Sequence, residues 1–364
     1  MVLRAARGLA VCRLIAASLG ALLMAASAQA IENPLTYKAA DRHERLMEGA
    51  KAEGEVVFYS AMIVNQALRP ISDGFMKKYP FIKVKYWRAE SAGIFTKLAA
   101  EMRAGKLVAD VVEGTGLGES VIQAGFAQPY ETPLMAEIPA RYHDPNLLWT
   151  PTRRSFFGIG YNIKATAAAD VPKTYEDLLD PRWKGRMAWH AGSASGADLF
   201  VTNLRMAWGE ERARAYLDRL AEQNIISLSG ASARGLVDRV IAGELGLALN
   251  IFAHHPLISA SKGAPVSSTL LDPVASTIGT MIVPKGVRHP HAAMLLVDYI
   301  LSKEGQQILS EAGYFPSRAD VPTRADLAPI TEALSRVSEQ FVSPESLNKY
   351  TASSEDMIQA VMKK

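Results

Sequence analysis

The chain has 364 residues, 49% of them hydrophobic, and a formal net charge of +3. That length suits two domains of ordinary size, and the apolar fraction is ordinary for a globular protein. The first thirty residues hold Arg4, Arg7 and Arg13 and no acidic residue, so they carry the whole positive net charge. Their removal takes the formal charge from +3 to 0. A basic balance confined to a leader gives no case for nucleic-acid binding.

The first thirty residues have the pattern of a secretory signal peptide. The basic start precedes an apolar run at 14–26, too short to span a bilayer, and Ala28-Gln29-Ala30 is a small-x-small cleavage site. We expect cleavage after Ala30 and a periplasmic location; the alternative, a membrane anchor, is disfavoured by the short run. The single cysteine, Cys12, lies in the leader, so the exported chain would hold no disulfide and no thiolate metal site.

Strands and helices alternate through the first part of the remaining chain. The predicted elements are a strand at 55–60, a helix at 64–79, a strand at 82–87, a helix at 94–103, a strand at 109–112, a Gly-rich turn at 113–118 and a short helix ending at 125. This alternation predicts a mainly parallel sheet with right-handed crossovers. Residues 126–150 lose the pattern and gain four prolines, which we interpret as a passage between two lobes.

A second alternating unit follows over about 155–270. Its predicted elements are a strand at 156–161, a short helix opened by a Thr174–Asp177 capping box, a strand at 186–189, helices at 199–206 and 210–223, a strand at 225–229, a helix at 234–242 and a strand at 246–250. A strand at 276–283 and helices at 292–301 and 304–311 come next. The tail shows weak helical runs near 325–338 and 354–362.

Four turns of similar chemistry follow predicted strands. They are small, hydroxylic or Gly-rich: Ser60-Ala61, Gly114-Thr115-Gly116, Ser193 to Gly196 and Ser229 to Ser232. Ligands of open α/β sheets bind outside the carboxyl ends of strands, and the first turn of a helix offers unpaired N–H donors. We therefore predict a cleft for a polar or anionic ligand, contacted by Ser60, Ala61, Thr115, Ser193, Ser195, Gly196, Ser229 and Ser232. Ser193 or Ser195 would cap the following helix; the alternative is that small residues simply favour turns.

Two further pairs are candidate ligand contacts. Arg153-Arg154, just before the predicted strand at 156, would place one guanidinium in the cleft to clamp a carboxylate or phosphate; the alternative is a solvated pair. His254-His255 suggests a metal, but neighbouring residues seldom face one centre and no third ligand has metal-site spacing. We include His254 as a ligand contact and predict no metal and no cofactor.

The chain lacks the usual catalytic motifs. It contains no Gly-x-Ser-x-Gly elbow with a downstream acid and histidine, no phosphate-binding Gly-x-x-x-x-Gly-Lys-Ser/Thr and no His-Glu-x-x-His. A nucleophile, a base and an orienting group are what an enzyme of the hydrolytic type needs. We therefore predict that the protein is not an enzyme.

Several segments together resemble the periplasmic solute-binding proteins of ABC importers, nearest the ferric-iron-binding group. The resemblance rests on residues 55–61, 109–111, 157–162, 183–186, 240–244, 292–306 and 316–318. It implies an α/β, two-lobed type II periplasmic-binding-protein fold, each lobe a mainly parallel sheet with flanking helices, closing by a hinge on a ligand between them. We expect lobe 1 over 31–150 with part of about 271–320 returning across the hinge, lobe 2 over 151–270, and a helical tail over 321–364.

The resemblance also implies a small-molecule solute and an ABC permease in the inner membrane as partners, and we expect a monomer. Iron-binding members use a His after the first strand, an acid after the third and a Tyr-Tyr pair later. The matching positions here are near Ile63, Thr115 and Ala253-His254. We therefore predict an anionic or polar organic ligand. The alternatives are a ferric-iron or chelated-metal binding protein, a periplasmic enzyme on the same scaffold, or a ligand-sensing partner of a membrane receptor.

Overall fold

The computed structural model describes residues 33–191, 195–228 and 232–362. The leader, Ser193 and Ser229, all named above, lie outside these ranges. Among the helices inside them, none is both long and apolar enough to cross a membrane.

Eleven strands within the described ranges join in one sheet. They are β1 (Glu55–Ser60), β2 (Lys83–Arg88), β3 (Val111–Thr115), β4 (Thr150–Asn162), β5 (Met187–His190), β6 (Ile226–Leu228), β7 (Leu247–Phe252), β8 (Val266–Thr269), β9 (Val274–Ile282), β10 (Phe315–Pro316) and β11 (Glu339–Phe341). The strand order is β2-β1-β3-β9-β4-β7-β5-β6, with β8 and β10 paired to β4 and β11 paired to β9. The predicted parallel pairing holds for β1 with β2 and β3, and for β5 with β6 and β7.

Strand β4 belongs to both halves of this sheet. From Thr150 to Phe156 it pairs antiparallel with β9, and from Phe157 to Tyr161 it pairs antiparallel with β7. Strand β9 continues to β3 on its other side. We call the half around β1–β3 lobe 1 and the half around β5–β7 lobe 2. The switch between Phe156 and Phe157 therefore marks the line along which the two lobes meet.

The helices of the described ranges cover the faces of the sheet. They are α1 (Arg42–Glu53), α2 (Arg69–Lys78), α3 (Ser91–Arg103), α4 (Leu117–Gln123), α5 (Ala197–Trp208), α6 (Glu210–Ala221), α7 (Ala233–Ile241), α8 (His254–Ala260), α9 (Pro290–Leu301), α10 (Lys303–Glu311), α11 (Ala328–Leu334) and α12 (Pro344–Met362). A π-helical turn, Val64–Leu68, precedes α2. The result is the mixed α/β fold with flanking helices that the sequence predicts.

Each lobe has its own apolar core. The lobe 1 core holds Phe58, Phe75 and Leu295, and the main lobe 2 core holds Trp189 and Phe200, all nearly or fully buried. Side chains of this kind each contribute about 1.5–3 kcal/mol when removed from water. The two cores are separate clusters, so each lobe is held together by its own burial and the strands between them are the link.

Lobe 1 is assembled from distant parts of the chain. Helix α9 packs on α1, where Arg42 donates to Asp298 through Nη1 and, at 3.2 Å, through Nη2. Strands β9 and β10, which come before and after α9 in the chain, pair with β3 and with β4 respectively. The residue at which each lobe begins and ends stays a prediction.

Two predicted turn positions are wrong in a way that matters for the site. Gly114 and Thr115 lie inside β3, not in a turn, because both pair with β9; Gly116, with φ of 72°, makes the turn instead. Arg153 and Arg154 lie inside β4, not before it, because pairing with β9 already begins at Thr150.

Two predicted helix starts have different outcomes. Serine does not cap α5: the capping residue is Gly196, and no side chain in the described ranges caps it there. Position 196 lies tight against β5, and a Cβ built there would be 2.0 Å from the carbonyl oxygen of His190. The Thr174–Asp177 capping box is confirmed by two reciprocal hydrogen bonds, of 2.9 and 3.3 Å.

We expect Gly196→Ala to lower the free energy of unfolding by about 1–3 kcal/mol, since the backbone must move to admit the methyl group. Gly235→Ala is the matched control, because a Cβ there meets nothing closer than 3.6 Å inside α7. A helical glycine replaced by alanine should leave stability unchanged or raise it by up to about 1 kcal/mol. Urea unfolding of both variants measures this; equal effects would contradict the close approach at residue 196.

Candidate functional site

The pairing register brings the carboxyl ends of strands from both lobes to the middle of β4. In lobe 1, Thr115 at the end of β3 pairs with Gly279, which pairs with Arg153. In lobe 2, Phe252 at the end of β7 pairs with Phe157. Since ligands of such sheets bind beyond these strand ends, the junction beside the centre of β4 is the candidate site.

A buried carboxylate, Glu113, organises the lobe 1 side of the junction. Its two oxygens accept hydrogen bonds from the Ser60 hydroxyl at 2.6 Å, from Thr152 Oγ1 at 3.2 Å and from Arg153 Nη1. Glu113 and Arg153 are 0% and 5% exposed, so they form a buried ion pair. A buried pair of this kind is tolerated when hydrogen bonds complete it, and losing one partner is costly.

Because Arg153 is paired with Glu113, its guanidinium is not free to bind an anion. Burial alone would lower the pKa of Arg153, but the Glu113 carboxylate outweighs burial and raises it. The guanidinium is therefore charged, yet its charge is neutralised inside lobe 1. The guanidinium carbon of Arg153 lies 4.8 Å from the centre of the Tyr314 ring, which belongs to the lobe 1 core.

Two imidazoles in edge-to-face contact continue the cluster into lobe 2. The His254 ring lies 5.4 Å from the Tyr314 ring and 4.7 Å from the His255 ring, measured between centres. Burial lowers the pKa of His254 well below its ordinary value, with help from the charges of neighbouring residues. Burial and the charge of Arg234 lower the pKa of His255 to about 3. Both rings are therefore neutral at pH 7.

Several polar atoms at this junction have no partner within the described part of the chain. They are both ring nitrogens of His254, Nδ1 of His255 and the hydroxyl of Thr115. A buried donor or acceptor without a partner costs about 1–3 kcal/mol, and such groups are rare in native proteins. At the junction, a ligand or ordered water can supply the missing hydrogen bonds.

Arg234 adds a positive charge beside the histidines. It is the second residue of α7, and its Nη1 donates to the carbonyl oxygen of His255 at 3.3 Å. Among the described residues its one acidic contact is loose, with Nε 3.6 Å from Asp238 Oδ1, and its side chain is 34% exposed. Unlike Arg153, it can turn its remaining donors toward a ligand.

Helix α7 itself starts at one of the predicted turn residues. Ser232 accepts a hydrogen bond from the Gly235 N–H at 3.1 Å and so caps the helix. Its hydroxyl is thus engaged within the turn. Ser232 still lies two residues from Arg234, which joins this turn to the histidine cluster.

Two further turns predicted at the site, at residues 195–196 and 60–61, are held by hydrogen bonds to backbone carbonyls. Asn250 of β7 donates to the carbonyl oxygens of Ser195 and Gly196, at 3.2 and 2.8 Å, which attaches that turn to the end of lobe 2. The N–H of Ala61 donates to the Glu113 carbonyl at 3.0 Å, beside the buried carboxylate. Both turns are therefore held beside the strand ends, by backbone carbonyls as much as by hydroxyls.

Arg154 does not join the cluster. Successive residues of a strand face opposite sides of the sheet, so Arg153 and Arg154 cannot both reach the junction. The Arg154 Nε donates to the Pro316 carbonyl at 2.9 Å, and its guanidinium lies 5.7 Å from the Phe156 ring centre. Arg153 is therefore the one of the two that lies at the junction, and the contact of either arginine with a ligand stays a prediction.

Sequence reasoning missed three residues of the cluster: Glu113, Tyr314 and Arg234. An acid inside an otherwise apolar strand is a signal for Glu113, and a cation just after a hydroxylic turn is one for Arg234. Nothing local marks Tyr314. Across the described ranges, no group of three or more His, Cys, Asp or Glu side chains is arranged to hold a metal ion.

Comparisons with known proteins agree with this geometry. The family model for bacterial extracellular solute-binding proteins matches residues 108–344. An uncharacterised protein of Haemophilus influenzae is 30% identical over 285 residues, covering 72% of this chain and 78% of the relative. The Fe(3+)-binding periplasmic protein of Serratia marcescens is 26% identical over 273 residues, covering the same shares of 72% and 78%.

Solved structures share the fold. The periplasmic binding protein AfuA of Actinobacillus pleuropneumoniae, with fructose-6-phosphate bound, has a TM-score of 0.70 at 21% identity and covers 84% of this chain and 99% of its own. Iron-bound HitA of Pseudomonas aeruginosa has a TM-score of 0.71 at 21% identity and covers 85% and 98%. The fold is the type II periplasmic-binding-protein fold, and the chain belongs to the bacterial extracellular solute-binding protein family.

Proposed function

We propose that this protein is the periplasmic binding component of an ABC importer that captures a small organic anion between its two lobes. After export and cleavage of the leader, the loaded protein would dock on an inner-membrane permease. The observation that carries the proposal is the set of unpartnered polar atoms on His254, His255 and Thr115, beside the cation Arg234, at the junction of the lobes.

The charges at the junction support an anion over a free metal cation. Arg153 is neutralised by Glu113, which leaves Arg234 as the cation with spare donors. The imidazoles are neutral and suit hydroxyl or carbonyl groups, as donors or acceptors according to tautomer. A trivalent cation would meet a repulsive guanidinium, whereas a phosphate or carboxylate would be paired with it.

Relatives differ in what their names say they bind, which leaves two ligand classes open. AfuA carries fructose-6-phosphate and another structural neighbour carries iron with citrate, so an iron chelate of net negative charge is the second candidate. Such a chelate would use the same cation. Both candidates present a small oxyanion to the site, and the following experiment distinguishes an iron-free anion from an iron chelate.

Thermal unfolding with added compounds tests the proposal. The panel is inorganic phosphate, citrate, fructose-6-phosphate, ferric citrate, and ferric ion supplied as its nitrilotriacetate complex. A ligand at 100 times its Kd stabilises by about 2.7 kcal/mol, which raises the Tm by several degrees. We expect such a shift with at least one iron-free anion. A large shift with ferric nitrilotriacetate and none with any iron-free anion would overturn the choice of ligand.

The enzyme alternative is tested with the same compounds. We expect mass spectrometry to recover the stabilising anion chemically unchanged after prolonged incubation with the protein. Conversion of that anion into another compound, at a rate proportional to protein concentration, would show that the protein is an enzyme.

Arg234→Gln should weaken binding of the stabilising anion roughly 10- to 100-fold, because a charge-assisted hydrogen bond is worth about 1.5–3 kcal/mol. Arg239→Gln is the matched control: it removes an exposed arginine from the same helix, one turn further along, whose contact with Glu244 is 3.8 Å long. Isothermal titration calorimetry measures both. Equal affinities for the two variants would remove Arg234 from the site.

The buried histidines predict that stability falls with acidification. Their native pKa values lie below the ordinary value of about 6.5, so below that pH the unfolded chain binds more protons than the native one. For His255 alone, with its pKa of about 3, the loss at pH 5 relative to pH 7.5 is about 2 kcal/mol.

Urea unfolding at pH 7.5 and pH 5 measures this loss. The His255→Phe variant should lose less free energy of unfolding between pH 7.5 and pH 5 than the natural chain does. His43→Gln, at an exposed position of α1, should keep the natural pH dependence. Parallel pH profiles for both variants would show that His255 titrates normally in the folded protein.

A further inference from the structure

Helix α12 reaches from one lobe to the other. Its 19 residues, Pro344–Met362, give it a length of about 28 Å. It packs against α5 and α6 of lobe 2 and against α4 of lobe 1. The chain enters it from β11, which pairs with the start of β9 between the lobes.

The second half of α12 is fixed in lobe 2 by apolar contacts. Met357, Ile358 and Val361 belong to the main lobe 2 core and are at most 5% exposed. Arg205 of α5 reinforces this end, donating to the Tyr350 carbonyl at 3.1 Å and to the Ser354 hydroxyl at 2.8 Å. Removing this end from lobe 2 would expose several large side chains, so it moves with lobe 2.

The first half of α12 is held to lobe 1 by polar contacts. Asn348 accepts a hydrogen bond from the side-chain amide of Gln123 at the end of α4. Glu345 accepts one from the indole N–H of Trp149 at 3.2 Å. Hydrogen bonds of this kind contribute about 0.5–1.5 kcal/mol each, much less than the apolar anchor.

Carboxyl groups also gather at this lobe 1 contact. Glu119 of α4, in lobe 1, lies near Asp198 of α5, in lobe 2, and near Glu345 of the helix itself. Burial, with Asp198 and Glu345, raises the pKa of Glu119 to about 7. Burial, with Glu355, raises the pKa of Asp198 to about 6. Like charges crowd the place where the helix bridges the lobes.

We propose that α12 is a strap across the hinge, anchored in lobe 2 and held weakly to lobe 1, which restricts the angle between the lobes. A rotation of one lobe against the other must break or slide the contacts of Asn348 and Glu345, because the opposite end is fixed by burial. The strap thus adds a barrier and a preferred angle to a hinge otherwise formed by β4 and β9. It acts without ligand, so its test is independent of the proposed function.

Spin labels on cysteines measure the distance between lobes. Lys77→Cys in α2 and Asp218→Cys in α6 are exposed positions on opposite lobes. Beyond residue 30 the chain contains no other cysteine. The protein from residue 31 onward, without ligand, is compared with the same protein carrying Glu345→Ala and Asn348→Ala. We expect the double variant to broaden the distance distribution and to add a population at a second distance.

Asp356→Ala with Gln359→Ala is the matched control. It removes one acid and one amide, three residues apart, from exposed positions of the same helix. We expect its distance distribution to equal that of the natural sequence. If the two double variants give the same distribution, the strap is wrong. If the Glu345→Ala, Asn348→Ala variant has a lower Tm than the control, the distance distribution of the single variant Asn348→Ala is measured instead. A distribution equal to that of the natural sequence would then also overturn the proposal.

Discussion

Hydrogen bonding of a single strand to both halves of the sheet is the constraint on which this structure depends. Strand β4 changes its neighbour from β9 to β7 between Phe156 and Phe157. Those two rings pack in different directions, Phe156 against Phe315 and Phe157 against Phe252. Each lobe can keep its own core while the strand bends at this point. The strand ends that meet there carry the residues of the proposed ligand site, so the hinge and that candidate site share the same few positions.

Charge at the site is set by which arginine is paired. Glu113 pairs with Arg153 through Nη1, and Ser60 and Thr152 donate further hydrogen bonds to the carboxylate. The pair fixes the lobe 1 wall without adding net charge to it. Arg234, on the other wall, keeps donors to spare. Because Arg153 keeps its partner within lobe 1, the lobes can part without exposing an uncompensated buried charge.

Local periodicity was enough to predict the alternating strands and helices, but it placed Gly114 and Thr115 in a turn although both belong to β3. It could not assign Arg153 and Arg154 to their faces, because side-chain direction alternates at every residue and β4 starts six residues before the predicted strand. Glu113 and Tyr314 become neighbours of Arg153 only through pairing between strands far apart in sequence. The first helical turn of α5 begins after Gly196 rather than after Ser195, and residue 196 lies against β5, a contact that local sequence does not reveal.

The contact of Arg42 with Asp298 spans 256 positions of the chain, and it has a consequence for how the molecule is made. A polypeptide that emerges from the ribosome or a translocation channel amino end first presents α1 and β1 long before α9 exists to cover them. Lobe 2 waits longer still, because Met357, Ile358 and Val361 of α12 complete its main core. Both halves therefore finish only late in synthesis, and their uncovered apolar surface is where a nascent chain most needs a chaperone.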